Sequence, residues 1–288
     1  MKNKGFNVGV VQTASSRNRG ENLAKAISHI RDLASRGAQV ICLQELFTTT
    51  YFCKTLDEAH FDMAEPIPGP TTDELCTLAK ELKVWLIAPL FEKGVPGQYF
   101  NSAAVISSKG DIVNVYRKTH IPDDPGFFEK YYFTPGEGDY QVIETPFGNI
   151  AVLICWDQWF PEAARILALK GADVIFYPTA IGMLSSETEE ELHLFHQAWQ
   201  TVQRGHAVAN GCFVVAVNRS GTEGDTAFWG RSFVSGPLGE LELELGEGSE
   251  AGLIYIDIGK LEQTRITWPF LRDRRSDTYT GIVRKYLR

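Results

Sequence analysis

The sequence has no apolar run long enough to cross a membrane. A membrane-spanning helix needs about 20 consecutive apolar residues, and the run closest to the start of the chain, Val8–Val11, falls far short of this. The same run is too short for the hydrophobic part of a secretory signal, although Lys2 and Lys4 precede it. We therefore expect no membrane partner and a cytoplasmic location.

Positive charge is also scarce. The chain of 288 residues carries 28 Lys and Arg against 36 Asp and Glu, which gives a formal net charge of −8. Proteins that bind nucleic acid need a basic face for the phosphates, so we expect no nucleic-acid partner. An acidic surface would suit a cationic ligand, but solubility alone explains it equally well.

Cysteine is sparse and irregularly spaced. Five cysteines, an odd number without a CxxC pair, predict neither a disulfide framework nor a zinc site. No HExxH motif is present either, so we expect no metal. Unpaired cysteines are typical of a reducing compartment, which again favours the cytoplasm.

The strongest organisational signal is an internal repeat. "LASRGAQVICLQE" (33–45) and "LALKGADVIFYPT" (167–179) share Leu, Ala, Gly, Ala, Val and Ile at equivalent places. Each segment is typical of a helix end, a capping glycine (Gly37 or Gly171) and a buried strand. The two halves of the chain are therefore predicted to share one architecture.

Further units fit this plan. Helix–strand patterns cover 71–92 and 195–218, and hairpin patterns cover 101–118 and 228–245. Each half then has the order α-β-β-β. Helices that cover one face of each sheet leave the other faces to pack together. We predict an α/β fold of a single domain over 1–288, a four-layer αββα sandwich with two pseudo-symmetric halves.

Three chemically active side chains follow predicted strands. Glu45 ends "AQVICLQE", Lys118 ends "DIVNVYRK", and Cys155 ends "NIAVLIC" shortly before a helix that begins at Pro161. Ligands of α/β sheets bind at such strand ends. A carboxylate can take the proton of a thiol, and an ammonium group favours the thiolate and can stabilise an oxyanion.

Each of these residues also has a structural interpretation. A cysteine in an apolar run is usually a small buried hydrophobe, and strand-end charges are usually solvated. That interpretation fits Cys42 and Cys212, predicted inside strands, and Cys76, predicted on a helix; Cys53 stays undecided. For Cys155 the two charged partners favour catalysis.

Longer motifs around these residues resemble a known family. "LQELF", "YRKTHIPDDPGFFEKYYFTPG" and "LICWDQWFPEAAR" resemble the carbon–nitrogen hydrolase (nitrilase) superfamily, and the resemblance runs from "VGVVQ" to "PFLRDRR". "YPTAIG" and "IPDDPGF" resemble most the branch of the N-carbamoylputrescine amidases. The resemblance implies an αββα enzyme without metal or organic cofactor that hydrolyses a terminal carbamoyl group and forms homodimers or larger homo-oligomers.

The resemblance also implies roles for individual residues. Cys155 would be the nucleophile, Glu45 the general base and later acid, and Lys118 the group that stabilises the tetrahedral intermediate. Glu129 would orient the lysine and the substrate, and the backbone N–H of Trp156 would belong to the oxyanion hole. Further expected substrate contacts lie on segments that form the pocket in this family: Tyr51, His120, Thr179 and Ala180.

A cationic substrate end would need an acid or an aromatic face. Asp123 is the candidate nearest to Lys118 in sequence, and the other candidates are Asp124, Glu187 and Glu189. One departure concerns the segment "LFHQAWQ": Ala198 stands where the plant-type amidases have a histidine, and His196 is out of register by two residues. If that histidine helps to recognise the substrate, the amine end is held differently in this chain or the substrate differs.

Alternatives stay open at this point. A different amidase of the superfamily, such as an ω-amidase or a β-ureidopropionase-like enzyme, would use the same chemistry, and a non-catalytic binding protein could keep the fold. The tail 268–288 mixes aromatic residues with arginines. On an acidic protein we interpret it as an arm that docks on a partner subunit.

Overall fold

The protein folds around two six-stranded β-sheets, which a computed structural model describes over residues 5–287. The predicted domain limits at residues 1 and 288 lie outside the described residues. The strands of the two large sheets are β1 Gly5–Gln12, β2 Val40–Leu43, β3 Trp85–Lys93, β4 Tyr99–Ile106, β5 Ile112–Arg117, β6 Val142–Glu144, β7 Asn149–Val152 and β8 Val174–Pro178, followed after a short β9 Gly182–Leu184 by β10 Phe213–Val217. After β11 Ser220–Glu223 and β12 Thr226–Trp229 come β13 Phe233–Ser235, β14 Leu241–Glu244 and β15 Glu250–Asp257. The helices are α1 Arg19–Ser35, α2 Pro70–Leu82, α3 Pro161–Leu169, α4 Glu189–Asn210 and α5 Ile258–Thr267.

The two sheets have matching strand orders. The first runs β15-β1-β2-β3-β4-β5 and the second β6-β7-β8-β10-β13-β14, each with three parallel strands in its middle. The repeat-related strands β2 and β8 hold equivalent third positions. This confirms the pseudo-symmetric halves predicted from the repeat.

Helices cover the outer faces of the sheets. In α1 the side chains of Ala26, Ile30 and Leu33 are buried, a spacing that places them on one face. α1 and α2 pack on the first sheet, and α4 packs on the second. Gly37 and Gly171 end the two repeat helices with φ of +94° and +93°, where a side chain would be strained. The predicted layer of helices over sheet is confirmed.

The inner faces of the sheets form the main core. Val8 and Val40 of the first sheet and Val174 and Val214 of the second are fully buried in one cluster. Each such side chain contributes on the order of 1.5–3 kcal/mol by leaving water. The sandwich is therefore held together mainly by apolar packing between its two sheets.

Both predicted hairpins are present, β4–β5 and β13–β14. A third sheet, β11-β12-β9, was not predicted. Cys212 was predicted inside a strand but precedes β10 by one residue; its backbone N–H donates to Ala207 O and helps to end α4. The strand predicted to reach Cys155 ends at Val152, because the chain then turns into a short 3₁₀ helix, Cys155–Trp159.

The chain beyond α5 lies on the surface. Val283 is 87% exposed and Ile282 65% exposed. Over residues 5–287 the helices are too short or too polar to cross a membrane.

Candidate active site

Three charged side chains meet at the strand ends, completely shielded from solvent. Lys118 Nζ lies 3.0 Å from Glu45 Oε1 and 2.6 Å from Glu129 Oε2. Glu45 follows β2 by two residues, Lys118 directly follows β5, and Glu129 begins a short 3₁₀ helix. Buried charges are tolerated in a folded protein when they are paired and hydrogen-bonded. We call Glu45, Lys118 and Glu129 the ion cluster.

Neutral groups hold the two carboxylates in place. Asn101 Nδ2 donates to Glu45 Oε1 at 2.7 Å, and the Tyr51 hydroxyl donates to Glu129 Oε1 at 2.6 Å. Glu45 Oε2 is buried and has no hydrogen-bond partner within residues 5–287. One oxygen of Glu45 is therefore available to accept a proton from a reacting group.

Cys155 lies in a strained turn. Its φ is +44°, a left-handed value that costs a non-glycine residue on the order of 1–3 kcal/mol and often marks a functional site. The buried Asp157 stabilises this turn. Its Oδ2 accepts from the Ile154 N–H (2.9 Å) and the Tyr116 hydroxyl (2.7 Å), and its Oδ1 accepts from the His120 N–H (2.9 Å).

The electrostatics of the thiol favour proton transfer during the reaction. Burial, and then the negative charge of Glu45, raise the pKa of Cys155 well above its ordinary value, while Lys118 and the Ala180 N–H act in the opposite direction. The resting thiol is protonated at neutral pH, so its attack needs a base. The unpartnered oxygen of Glu45 can supply that base.

The pKa values of the other two groups follow from the same cluster. Burial alone would lower the pKa of Lys118, but the negative charges of the Cys155 thiolate, once it forms, and of Glu129 and Glu45 outweigh it and raise that pKa well above its ordinary value. Burial raises the pKa of Glu129 to about 6, against the pull of Lys118. At neutral pH the lysine is a permanent cation beside the thiol.

A cavity of about 440 Å³ opens over Cys155. Aromatic side chains line much of it, and two carboxylates outside the ion cluster, Asp124 and Glu187, also line it. The other lining residues used below are Glu129, Trp156, Trp159, Ala180, Ala198 and Trp229. Within residues 5–287 we find no group of three or more His, Cys, Asp or Glu side chains that could hold a metal ion.

Comparison with known proteins identifies the family of this chain. The family model described as "Carbon-nitrogen hydrolase" matches residues 7–266. The chain belongs to the carbon–nitrogen hydrolase family. It is 43% identical to an N-carbamoylputrescine amidase of Solanum lycopersicum over 98% of this chain and 96% of that one, and 42% identical to a citrullinase of Francisella tularensis over 97% and 98%. The crystal structure of a carbon–nitrogen hydrolase from Helicobacter pylori superposes with a TM-score of 0.95 at 41% identity, covering 98% of this chain and all of that one.

The hydrolase fold brings most of the predicted site residues together. Cys155, Glu129, Trp156 and Ala180 line the cavity. The remaining members, Glu45, Lys118 and Tyr51, belong to the ion cluster and its hydrogen bonds.

Three predicted substrate contacts lie elsewhere. The His120 ring pairs with Asp157 Oδ1 at 2.7 Å and stacks on Phe160 at 3.8 Å, so it supports the turn that holds Cys155. Thr179 Oγ1 donates to Tyr177 O at 3.0 Å and is fully buried. His120 and Thr179 are absent from the residues that line the cavity.

Asp123 is likewise outside the lining, whereas its neighbour Asp124 lines the cavity, although both residues are exposed. Asp124 begins a tight turn, in which the Phe127 N–H donates to Asp124 O and Gly126 has φ +80°. Sequence distance from Lys118 could not distinguish the two aspartates.

Sequence reasoning missed Asn101 and Asp157. Asp157 had a detectable signal, because it is an acid two residues after a candidate nucleophile in an otherwise aromatic segment. Asn101 begins a predicted strand like many other polar residues, and only the pairing of β4 with β3 and β5 brings it to Glu45.

Proposed function

We propose that this enzyme hydrolyses the terminal carbamoyl group of a carbamoylated amine, with N-carbamoylputrescine as the first candidate. The observation that carries the proposal is Cys155 on the wall of a cavity that two carboxylates outside the ion cluster, Asp124 and Glu187, also line. The similarity to the Solanum lycopersicum amidase supports the same substrate.

In the first half of the reaction, Glu45 takes the Cys155 proton and the sulfur attacks the carbamoyl carbon. Lys118 and the backbone N–H of Trp156 stabilise the oxyanion of the tetrahedral intermediate. The bond to the terminal nitrogen breaks, Glu45 returns the proton to it, and ammonia leaves. A carbamoyl group stays bound to sulfur, with the rest of the amine attached to its nitrogen.

In the second half, Glu45 takes a proton from water as the water adds to the same carbon. The carbon–sulfur bond breaks and the sulfur regains a proton. The released carbamate decomposes to carbon dioxide and the free amine. Urea-type carbonyls are poor electrophiles, and covalent catalysis divides their hydrolysis into two easier steps. Glu129 holds Lys118 in both steps, through the 2.6 Å contact.

The cavity suits a slim cationic chain. A butylammonium group would find the carboxylates of Asp124 and Glu187, and the aromatic side chains of Trp156 and Trp229, which also line the cavity, are of the kind that makes cation–π contacts. Glu187 Oε2 already accepts from the Leu184 N–H at 2.6 Å, which holds this carboxylate in position. We therefore propose that the part of the cavity around Asp124 and Glu187 binds the positively charged end of the substrate.

A second candidate substrate is a ureido amino acid such as citrulline. Ala198 lines the cavity at the position where the plant-type amidases have a histidine, and the smaller side chain leaves more room. The citrullinase of Francisella tularensis is 42% identical to this chain. Citrulline carries the same carbamoyl group on a chain that ends in both an ammonium and a carboxylate.

The test is ammonia release by purified protein from N-carbamoylputrescine, citrulline, β-ureidopropionate and glutaramate in parallel. Cys155→Ser is the blank, and Cys76→Ser, on α2, is the matched cysteine control. Release from N-carbamoylputrescine that Cys155→Ser abolishes and Cys76→Ser retains supports the proposal. Preference for citrulline selects the second candidate, and activity only on the acidic substrates contradicts both.

We also propose that the enzyme acts in the cytoplasm as a homodimer or larger homo-oligomer, with the tail 268–288 at the subunit interface. All five cysteines are unpaired, and Ile282, Val283 and Leu287 are exposed. Light scattering on the full chain should give at least a dimer, and Val283→Asp should shift it toward monomer. A wild-type monomer would contradict the interface.

A further inference from the structure

Arg219 is a buried residue that contacts the loop carrying Glu45 and the segment that follows β8. Its guanidinium is fully buried. Nη2 donates to Glu45 O at 3.0 Å and Leu46 O at 2.9 Å, and Nη1 donates to Thr49 O at 2.9 Å. Three backbone carbonyls of the loop that carries Glu45 are thus held by one side chain that is 174 residues away.

This loop needs external support. Leu46, directly after Glu45, has φ +50°, a conformation that non-glycine residues rarely adopt. Strained backbone persists only where its surroundings over-determine it. The rigid, planar guanidinium of arginine can bind several carbonyl oxygens at once, which a lysine ammonium on a flexible chain does less well.

Glu223 completes the arrangement. Its Oε1 accepts from Arg219 Nη1 at 2.7 Å, and its Oε2 accepts from the Tyr51 backbone N–H at 2.6 Å. The Tyr51 hydroxyl in turn donates to Glu129. The Arg219–Glu223 pair therefore contacts both ends of the segment from Glu45 to Tyr51. Because this segment carries Glu45 and the tyrosine that binds Glu129, the pair helps to position both carboxylates of the ion cluster.

Arg219 is itself fixed to the opposite sheet. It follows β10, and its backbone N–H donates to Thr179 O at 3.1 Å. The preceding Asn218 exchanges side-chain hydrogen bonds with the backbone of Ile181, at 3.0 and 2.9 Å. Between Thr179 and Ile181 lies Ala180, whose backbone N–H lowers the pKa of the Cys155 thiol. Arg219 thus joins the segment beside the thiol to the loop that carries the base.

We propose that the Arg219–Glu223 pair is a positioning device that sets Glu45 relative to Cys155. It touches neither substrate nor thiol and acts through the backbone of 45–51. The inference rests on the proposed function for the role of Glu45, but its test does not require the substrate to be known. Small displacements of a reacting group, on the order of 1 Å, cost about 10²-fold in rate.

Arg219→Lys keeps the charge and loses the multiple contacts. We expect kcat to fall about 10²-fold with KM nearly unchanged, since the lost geometry matters when the proton moves. Alkylation of Cys155 by iodoacetamide, followed on its peptide by mass spectrometry, should slow by about 10-fold or more, because transfer of the thiol proton to Glu45 assists it.

Arg265→Lys is the matched control. Arg265 makes the same kinds of contact, with Asp173 Oδ1, Gly211 O and Ala172 O each at 2.8 Å, but at the opposite ends of β8 and β10. It should lose stability yet keep wild-type kcat and Cys155 alkylation. A folded Arg219→Lys whose kcat and alkylation rate equal those of Arg265→Lys overturns the proposal.

If Arg219→Lys does not fold, the same measurements on Glu223→Gln test the proposal. The amide can accept from only one of the two donors that the carboxylate serves, so kcat and alkylation should fall while KM holds; wild-type values would overturn the proposal. Wild-type protein that is inactive on every carbamoyl and amide substrate refutes the proposed function alone, because the alkylation contrast is still measured.

Discussion

The ammonium of Lys118 lies 2.6 Å from Oε2 of Glu129, and neither side chain is exposed to solvent. The contact is therefore a charge pair in a medium of low polarity, where attraction is strong and an unpaired charge is costly. Four predictions test this cluster, the turn that holds Cys155 and the cavity beside them.

Removal of the lysine should destabilise the folded protein as well as abolish activity. Lys118→Met leaves Glu45 and Glu129 buried without a counter-charge, and we expect the free energy of unfolding to fall by about 3–5 kcal/mol at pH 7. Adding Glu129→Gln should recover part of this loss without restoring activity. Urea denaturation measures both effects. Equal stability of the single and double variants would show that the carboxylates do not repel each other there.

Lys260 provides the control for that experiment. It also lies between two glutamates, 2.5 Å from Glu240 and 2.6 Å from Glu242, but its side chain is 40% exposed. Exposed ion pairs contribute about 1 kcal/mol or less. Lys260→Met should therefore change the free energy of unfolding little and leave ammonia release intact.

The raised pKa of Glu129 predicts a pH effect on stability. In the folded protein burial raises this pKa to about 6, from 4.5 in the unfolded chain. Between these values the folded state binds more protons, so the contribution of Glu129 is full below pH 4.5 and is lost as the pH rises through 6. The loss is about 2 kcal/mol at 1.36 kcal/mol per pKa unit.

Glu129→Gln cannot titrate and isolates this contribution. Free energies of unfolding from urea titrations between pH 4 and pH 7 should show wild type losing about 2 kcal/mol relative to the variant. A constant difference between the two proteins across this range would mean that Glu129 has an ordinary pKa.

Asp157 should matter for the nucleophile through backbone geometry. Asp157→Asn leaves one acceptor oxygen where two oxygens now serve Ile154, Tyr116 and His120. We expect about 3 kcal/mol less stability, since hydrogen bonds to charged groups contribute about 1.5–3 kcal/mol each, and a lower kcat. Tyr116→Phe removes one of these bonds and should have a smaller effect on both. Wild-type kcat in a folded Asp157→Asn would contradict this role.

Removing the negative charge of Glu187 from the cavity should raise KM. Glu187→Gln keeps an oxygen for the Leu184 N–H but removes the charge, so we expect KM for N-carbamoylputrescine to rise about 10-fold with kcat nearly unchanged. Glu189→Gln, on the exposed first turn of α4, is the control and should match wild type. KM values that are equal in the two variants would exclude Glu187 as the ammonium partner.

Two kinds of pattern made the fold predictable. The repeat around Gly37 and Gly171 predicted equivalent helix–strand units, and these occupy equivalent places in the two sheets. Local signals of this kind, apolar periodicity and capping glycine, depend on neighbours in sequence. The small sheet β11-β12-β9 escaped prediction because its strands have three or four residues and pair only through tertiary contact.

By itself the sequence determined the sandwich and the candidate trio Glu45, Lys118 and Cys155, because strand ends and residue chemistry are local properties. Only the tertiary structure decided which groups hold that trio. Asn101 and Arg219 reach Glu45 across 56 and 174 residues. The exchange of Asp123 for Asp124 at the cavity was decided in the same way, since the direction of a side chain in a turn depends on the packing around it.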